Sequence, residues 1–72
     1  MKDKEAMLAQ LSNCYYEAYG VVPSDRHLGY LLFRLPQHIH AEAELWGWGD
    51  TVLGDNIYLH FKSNSNIYKE EN

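Results

Sequence analysis

From Asp3 to Tyr19 the apolar residues fall at Met7, Leu8, Leu11, Cys14, Tyr15, Ala18 and Tyr19. That spacing gathers them on one stripe of an α-helix. Asp3 can cap its start, and Gly20 stands where a left-handed C-cap would close it. Val21-Val22-Pro23 then reads as a short extended connector, because Pro23 disfavours helix for Val22. Ser24 is a good N-cap and Asp25 suits a first turn. Leu28, Leu31, Leu32 and Leu35 follow at helical spacing, so a second helix is expected over 25–34, stopping before Pro36. Gly29 weakens it by about 1 kcal/mol relative to alanine. Its presence suggests a close approach by another backbone.

Pro36 can open a third helix, where its missing N–H costs nothing. Leu35, Ile39, Ala43 and Trp46 sit on one side of that helix, and Gly47 ends it. Asp50 or Thr51 can cap a fourth. There Leu53, Ile57 and Phe61 are spaced by four, with Tyr58 beside them, although Gly54 and Asn56 suit a helix interior poorly. The pattern therefore predicts a mainly α fold, a compact bundle of four short helices over about 3–19, 25–34, 36–46 and 51–62. Residues 63–72 form a polar, frayed C-terminal tail, from which Ile67 and Tyr68 could dock back on the core or serve a partner. Short connections suit an antiparallel arrangement within a single domain.

A second reading shares part of this pattern. Residues 38–45 alternate with period 2, as do Ile57, Leu59 and Phe61, and Gly54-Asp55-Asn56 resembles a hairpin turn. That gives an α+β alternative, one or two N-terminal helices followed by a small antiparallel sheet from 38–61. Ala41-Glu42-Ala43-Glu44 weighs against it, since both residue types are depleted in strands.

Between the last two helical segments lies Leu45-Trp46-Gly47-Trp48-Gly49-Asp50-Thr51, which holds both tryptophans. It reads as a tight corner whose two indoles close one side of a small core. Trp46 falls on the apolar stripe and is expected inside. Trp48, between two glycines, is expected to be partly exposed.

Length changes the weight of these expectations. A chain of 72 residues buries only about 60% of the surface its unfolded form exposes, so any core is small. A single cysteine, Cys14, excludes an intrachain disulfide and favours a reducing, cytoplasmic setting. No apolar run approaches the roughly 20 residues of a membrane span, and the N-terminus carries no apolar signal core. A formal net charge of −4 opposes binding to phosphate backbones and fits docking on a basic protein surface.

Candidate chemistry is sparse. His38-x-His40 with Glu42 and Glu44 offers two i,i+4 pairs of the kind that chelate zinc. A structural zinc site wants four ligands and favours cysteine, so a solvated face with His–Glu pairing explains these residues more simply, and no metal or cofactor is expected. Cys14 lies on the buried stripe and reads as a small core hydrophobe rather than a nucleophile. No pair among Glu42, Glu44, Asp50 and Asp55 is placed by sequence in a dry pocket that would tune it for acid–base work. Enzymatic activity is therefore not expected. A small helix-turn-helix-like DNA-binding transcriptional regulator is the natural alternative for four short helices. Its recognition helix would offer Gln37, His38 and His40 followed by two glutamates, a poor set for reading base edges.

Aromatic anchors remain. Six tyrosines and two tryptophans in so short a chain suit a binding face. Trp48, Tyr58 and Tyr30, with Tyr16 near another stripe edge, rimmed by Glu42, Glu44, Asp50 and Asp55, would make a protein-binding surface. The expectation is a small acidic module for protein–protein interaction, with a larger protein as partner. By analogy of composition it resembles small phage or mobile-element inhibitors of the anti-defence type. A homodimer is compatible with this, because so short a chain gains core by pairing.

Overall fold

A computed structural model describes the backbone of residues 2–70 and the side chains of residues 4–70. Among the described residues five helices follow one another: α1 (Lys2–Tyr19), α2 (Asp25–Arg34), α3 (Gln37–Trp46), α4 (Thr51–Ser63) and the single-turn α5 (Ser65–Tyr68). The described residues contain no strand, so residues 38–61 do not form the alternative sheet. The alternation in 38–45 is absorbed by α3, where Ile39 and Ala43 alone turn inward.

Local chemistry sets the boundaries. Ser24 Oγ accepts from the His27 N–H at 3.1 Å, and Asp50 Oδ2 accepts from the Leu53 N–H at 3.0 Å. Both are side-chain N-caps that satisfy a donor left over by the first turn. Pro36 serves as the N-cap of α3 rather than its first helical residue. Gly20 and Gly47 hold φ of +79° and +90°, values that a side chain disfavours, and so let α1 and α3 stop abruptly. The side chain of Asp3 lies outside the described residues, and α1 already begins at Lys2.

Helix α4 is the central element. It packs chiefly on α1 and more lightly on α3 and α5, while α2 leans on α1. Leu53, Ile57 and Phe61 of α4 meet Leu11, Cys14, Tyr15 and Ala18 of α1, with Leu31 of α2, Leu35 of the α2–α3 link, and Ile39 and Ala43 of α3 closing the core. The radius of gyration, 11.1 Å, matches the roughly 11 Å expected of a compact chain of this length.

Residues 65–68 extend the core. Tyr68 is buried against Phe61, ring centroids 5.1 Å apart, and Ile67 packs beside it, so the docking option for this pair is the one taken. Several bonds hold the turn down. The Tyr68 carbonyl meets His27 Nε2 at 2.6 Å, and the Glu70 N–H donates to Tyr15 Oη at 2.6 Å. Asn64 Nδ2 points at His60 Nδ1, His60 Nε2 lies 2.8 Å from Tyr68 Oη, and Tyr68 Oη donates to the Arg34 carbonyl at 3.0 Å. Asn64 Nδ2 also donates to the His60 carbonyl at 3.0 Å, and these directions fit a neutral His60 with its proton on Nε2. Burial, then the neighbouring His38, holds the His60 pKa below its ordinary value, which favours the neutral ring.

Two expectations are corrected here. Trp46 is not a core residue; it is 45% exposed. The stripe that is buried at Ile39 and Ala43 surfaces at Trp46, the last residue of α3 before the Gly47 turn. Of the two indoles only Trp48 packs on the core. The close approach is at Gly54 and not at Gly29, whose surroundings are open. A methyl at Gly54 would stand 2.9 Å from Gln10 Oε1.

Candidate functional site

The corner at 47–50 is built from its backbone. Gly47 turns the chain, and the Asp50 N–H donates back to the Gly47 carbonyl at 3.2 Å. Gln10, from the middle of α1, then clamps it. Its Nε2 donates to the Trp48 carbonyl at 2.7 Å and to the Asp50 carbonyl at 2.9 Å. Cys14, one turn further along α1, directs its thiol to the Gly54 carbonyl at 3.3 Å and to Gln10 Oε1 at 3.7 Å. Gly54 permits this contact, because no side chain separates the α4 backbone from Gln10. Gln10 was not singled out by the sequence reading. The available signal is its place beside Met7, Leu11 and Cys14, where a polar residue on an apolar stripe needs a partner.

Next to this clamp, along the seam of α1 and α4, an open hollow of about 440 Å³ is lined by Asn13, Tyr16, Glu17, Asp50 and Asp55, with Cys14 in its wall. Tyr16 is 55% exposed. A second hollow continues the seam, bounded by Glu17, Asp55 and Tyr58. Two aromatic rings and three carboxylates therefore border one furrow. Asp50 is partly spent as the cap of α4, whereas Glu17 and Asp55 are exposed. Burial first, then Glu17 and Asp55, push the Cys14 thiol up to about 11. A neutral, buried thiol is a poor nucleophile at pH 7.

The other predicted site residues lie elsewhere. Tyr30 is on α2, stacked on His27 at 5.4 Å with the Arg34 guanidinium 6.0 Å from its ring. It borders a separate hollow with Ile67 and Glu70. Glu42 faces α4 and accepts from Asn56 Nδ2 at 3.1 Å. Glu44 is exposed on α3, and Trp48 is half-buried with its ring edge-on to His40 at 5.9 Å. The structure thus joins Tyr58, Asp50 and Asp55 along one furrow, adds Tyr16 and Glu17 to them, and leaves Trp48, Tyr30, Glu42 and Glu44 apart.

His38 and His40 part company too, His38 lying edge-on to His60 at 6.3 Å while His40 meets Trp48. Among the described residues no three His, Cys, Asp or Glu side chains are grouped to hold a metal ion, and no helix is long and apolar enough to cross a membrane. In comparisons with known proteins, no family model, no curated protein and no solved structure matches this chain. What fold and furrow define is a small all-helical domain with an acidic, tyrosine-bordered seam.

Proposed function

We propose that this chain is a non-enzymatic binding module that docks on a basic surface of a larger protein through the α1–α4 furrow. The observation that carries this reading is the convergence of Tyr16 and Tyr58 with Glu17 and Asp55 along one open seam. Tyrosines give rigid, amphipathic contact area, and carboxylates beside them select lysine and arginine. The buried, neutral Cys14 favours a structural role for its thiol over a nucleophilic one. With the acidic net charge, such a seam suits an inhibitor that occupies a basic surface of a larger machine, as anti-defence proteins of phages and mobile elements do.

Affinity capture with the full chain as bait, set beside a Glu17→Lys/Asp55→Lys variant, tests the reading. A partner that binds the native chain and is lost by the variant supports it. A partner retained by the variant, or a salt-dependent mobility shift on duplex DNA, refutes it. Self-association is compatible with this function, because the furrow does not involve the outer side of α3.

A further inference from the structure

A second surface lies where α3 and α4 face outward together. Val52, Asn56, Leu59 and Ser63 recur along α4 at i, i+4, i+7 and i+11, and His38, Glu42 and Leu45 recur along α3 at i, i+4 and i+7, so each set forms one stripe. The Asn56–Glu42 hydrogen bond and the His38–His60 ring contact bring the two stripes side by side. Leu45 is 77% exposed, Leu59 58% and Val52 54%. Trp46, at the end of α3, stands at the same end of the face as Leu45 and Val52.

We infer that this face is the contact between two copies of the chain. Charge selects the occupant. The molecule carries −4, so two copies repel one another over most of their surface. Among the described residues the only carboxylate on this face is Glu42, and it is already bonded to Asn56. A basic partner finds little to grip there, whereas a second copy meets Leu45, Leu59 and Val52, with the uncharged Asn56 and Ser63 between them, at little like-charge cost. A two-fold axis makes such a contact self-complementary. Area is sufficient. Two adjacent helices of 10 and 13 residues, about 15 and 20 Å long, present a face about 20 Å wide, or roughly 500–650 Å² of accessible surface per copy once side-chain relief is included. That stands at the lower edge of the range for specific interfaces, so the dimer is a weak, concentration-dependent one.

Sedimentation equilibrium of the full chain from about 1 to about 500 µM tests this, the span over which a weak dimer forms. The average mass is expected to rise from that of one chain toward twice that value. Leu59→Glu and Leu45→Glu, on different helices, should each hold the mass at one chain across the series while far-UV circular dichroism remains helical. Phe33→Glu, at an exposed position on α2, should leave the rise unchanged. A single-chain mass for the native protein at every concentration overturns the inference, as does a dimer that survives both leucine variants or is lost equally in Phe33→Glu. Since Leu45 and Leu59 do not border the α1–α4 furrow, binding of a larger partner by these variants reads the proposed function separately.

Discussion

Replacing Gly54 with alanine should weaken the protein even though alanine is the better helix former. In an ordinary helix interior the exchange gains about 1 kcal/mol. Here the new methyl would stand 2.9 Å from Gln10 Oε1 and 3.2 Å from its Cδ and Nε2, so the amide must move. Gln10 is a flexible side chain and can retreat, but retreat breaks its bonds to the Trp48 and Asp50 carbonyls. Two partly buried hydrogen bonds are worth about 2 kcal/mol together. The balance is a net loss of about 1 kcal/mol, or about 4–8 °C in Tm for a domain of this size. Gln10→Ala alone should cost about 2 kcal/mol by the same hydrogen-bond reckoning. In that background nothing opposes the methyl, and Gly54→Ala should become stabilising by about 1 kcal/mol, giving a coupling of about 2 kcal/mol. Urea unfolding of the four proteins, followed by far-UV circular dichroism, measures each corner of the cycle. A Gly54→Ala exchange that stabilises the native background as much as the Gln10→Ala background would refute the clamp.

Tyr68→Phe removes the hydroxyl between His60 and the Arg34 carbonyl and should cost about 1–2 kcal/mol in urea unfolding, with faster amide exchange confined at first to residues 65–70. Acid should act on the same network. His60 has a folded pKa below its ordinary 6.5, so the folded state prefers the neutral ring. That contribution to stability is full above pH 6.5 and is lost as pH falls from there through the depressed folded value. Urea midpoints at pH 7.5 and 5 should differ less in His60→Gln than in the native chain, and an undiminished difference would count against His60. Cys14, with its pKa raised from 9.0 to about 11, should have about 100-fold less thiolate than an ordinary cysteine at neutral pH and react with iodoacetamide at least that much more slowly. Urea at unfolding concentrations should restore the normal rate.

Helix ends were the most legible part of the fold because single residues mark them. Ser24, Asp50 and Gly47 perform the capping their chemistry suggests, and the buried stripes of α1 and α4 follow from apolar spacing alone. Trp46 was misread because periodicity says which side of a helix is apolar but not how far along it burial runs. Gly29 and Gly54 look alike in sequence, and only the packing of α1 on α4 distinguishes them. The furrow was half legible. Tyr58 at a stripe edge and the nearby Asp50 and Asp55 are legible in the sequence pattern, whereas Glu17 lies 38 residues from Asp55 in sequence and joins it only through the crossing of α1 and α4. Tyr68 was open to docking, but its bonds reach back to α2 and to the start of α4's last turn, contacts that no local pattern encodes.

The turn at Gly47 sends the two indoles into unlike surroundings, Trp46 to water and Trp48 onto the core. Nature has thereby given the molecule two built-in fluorophores with separable reports. Emission from Trp46 should shift toward the blue when something covers the outer end of α3. Emission from Trp48 should shift toward the red only when the corner pulls away from Gln10. Variants keeping one indole each, with Phe in place of the other, would let occupancy and unfolding be followed in the same cuvette without any added label.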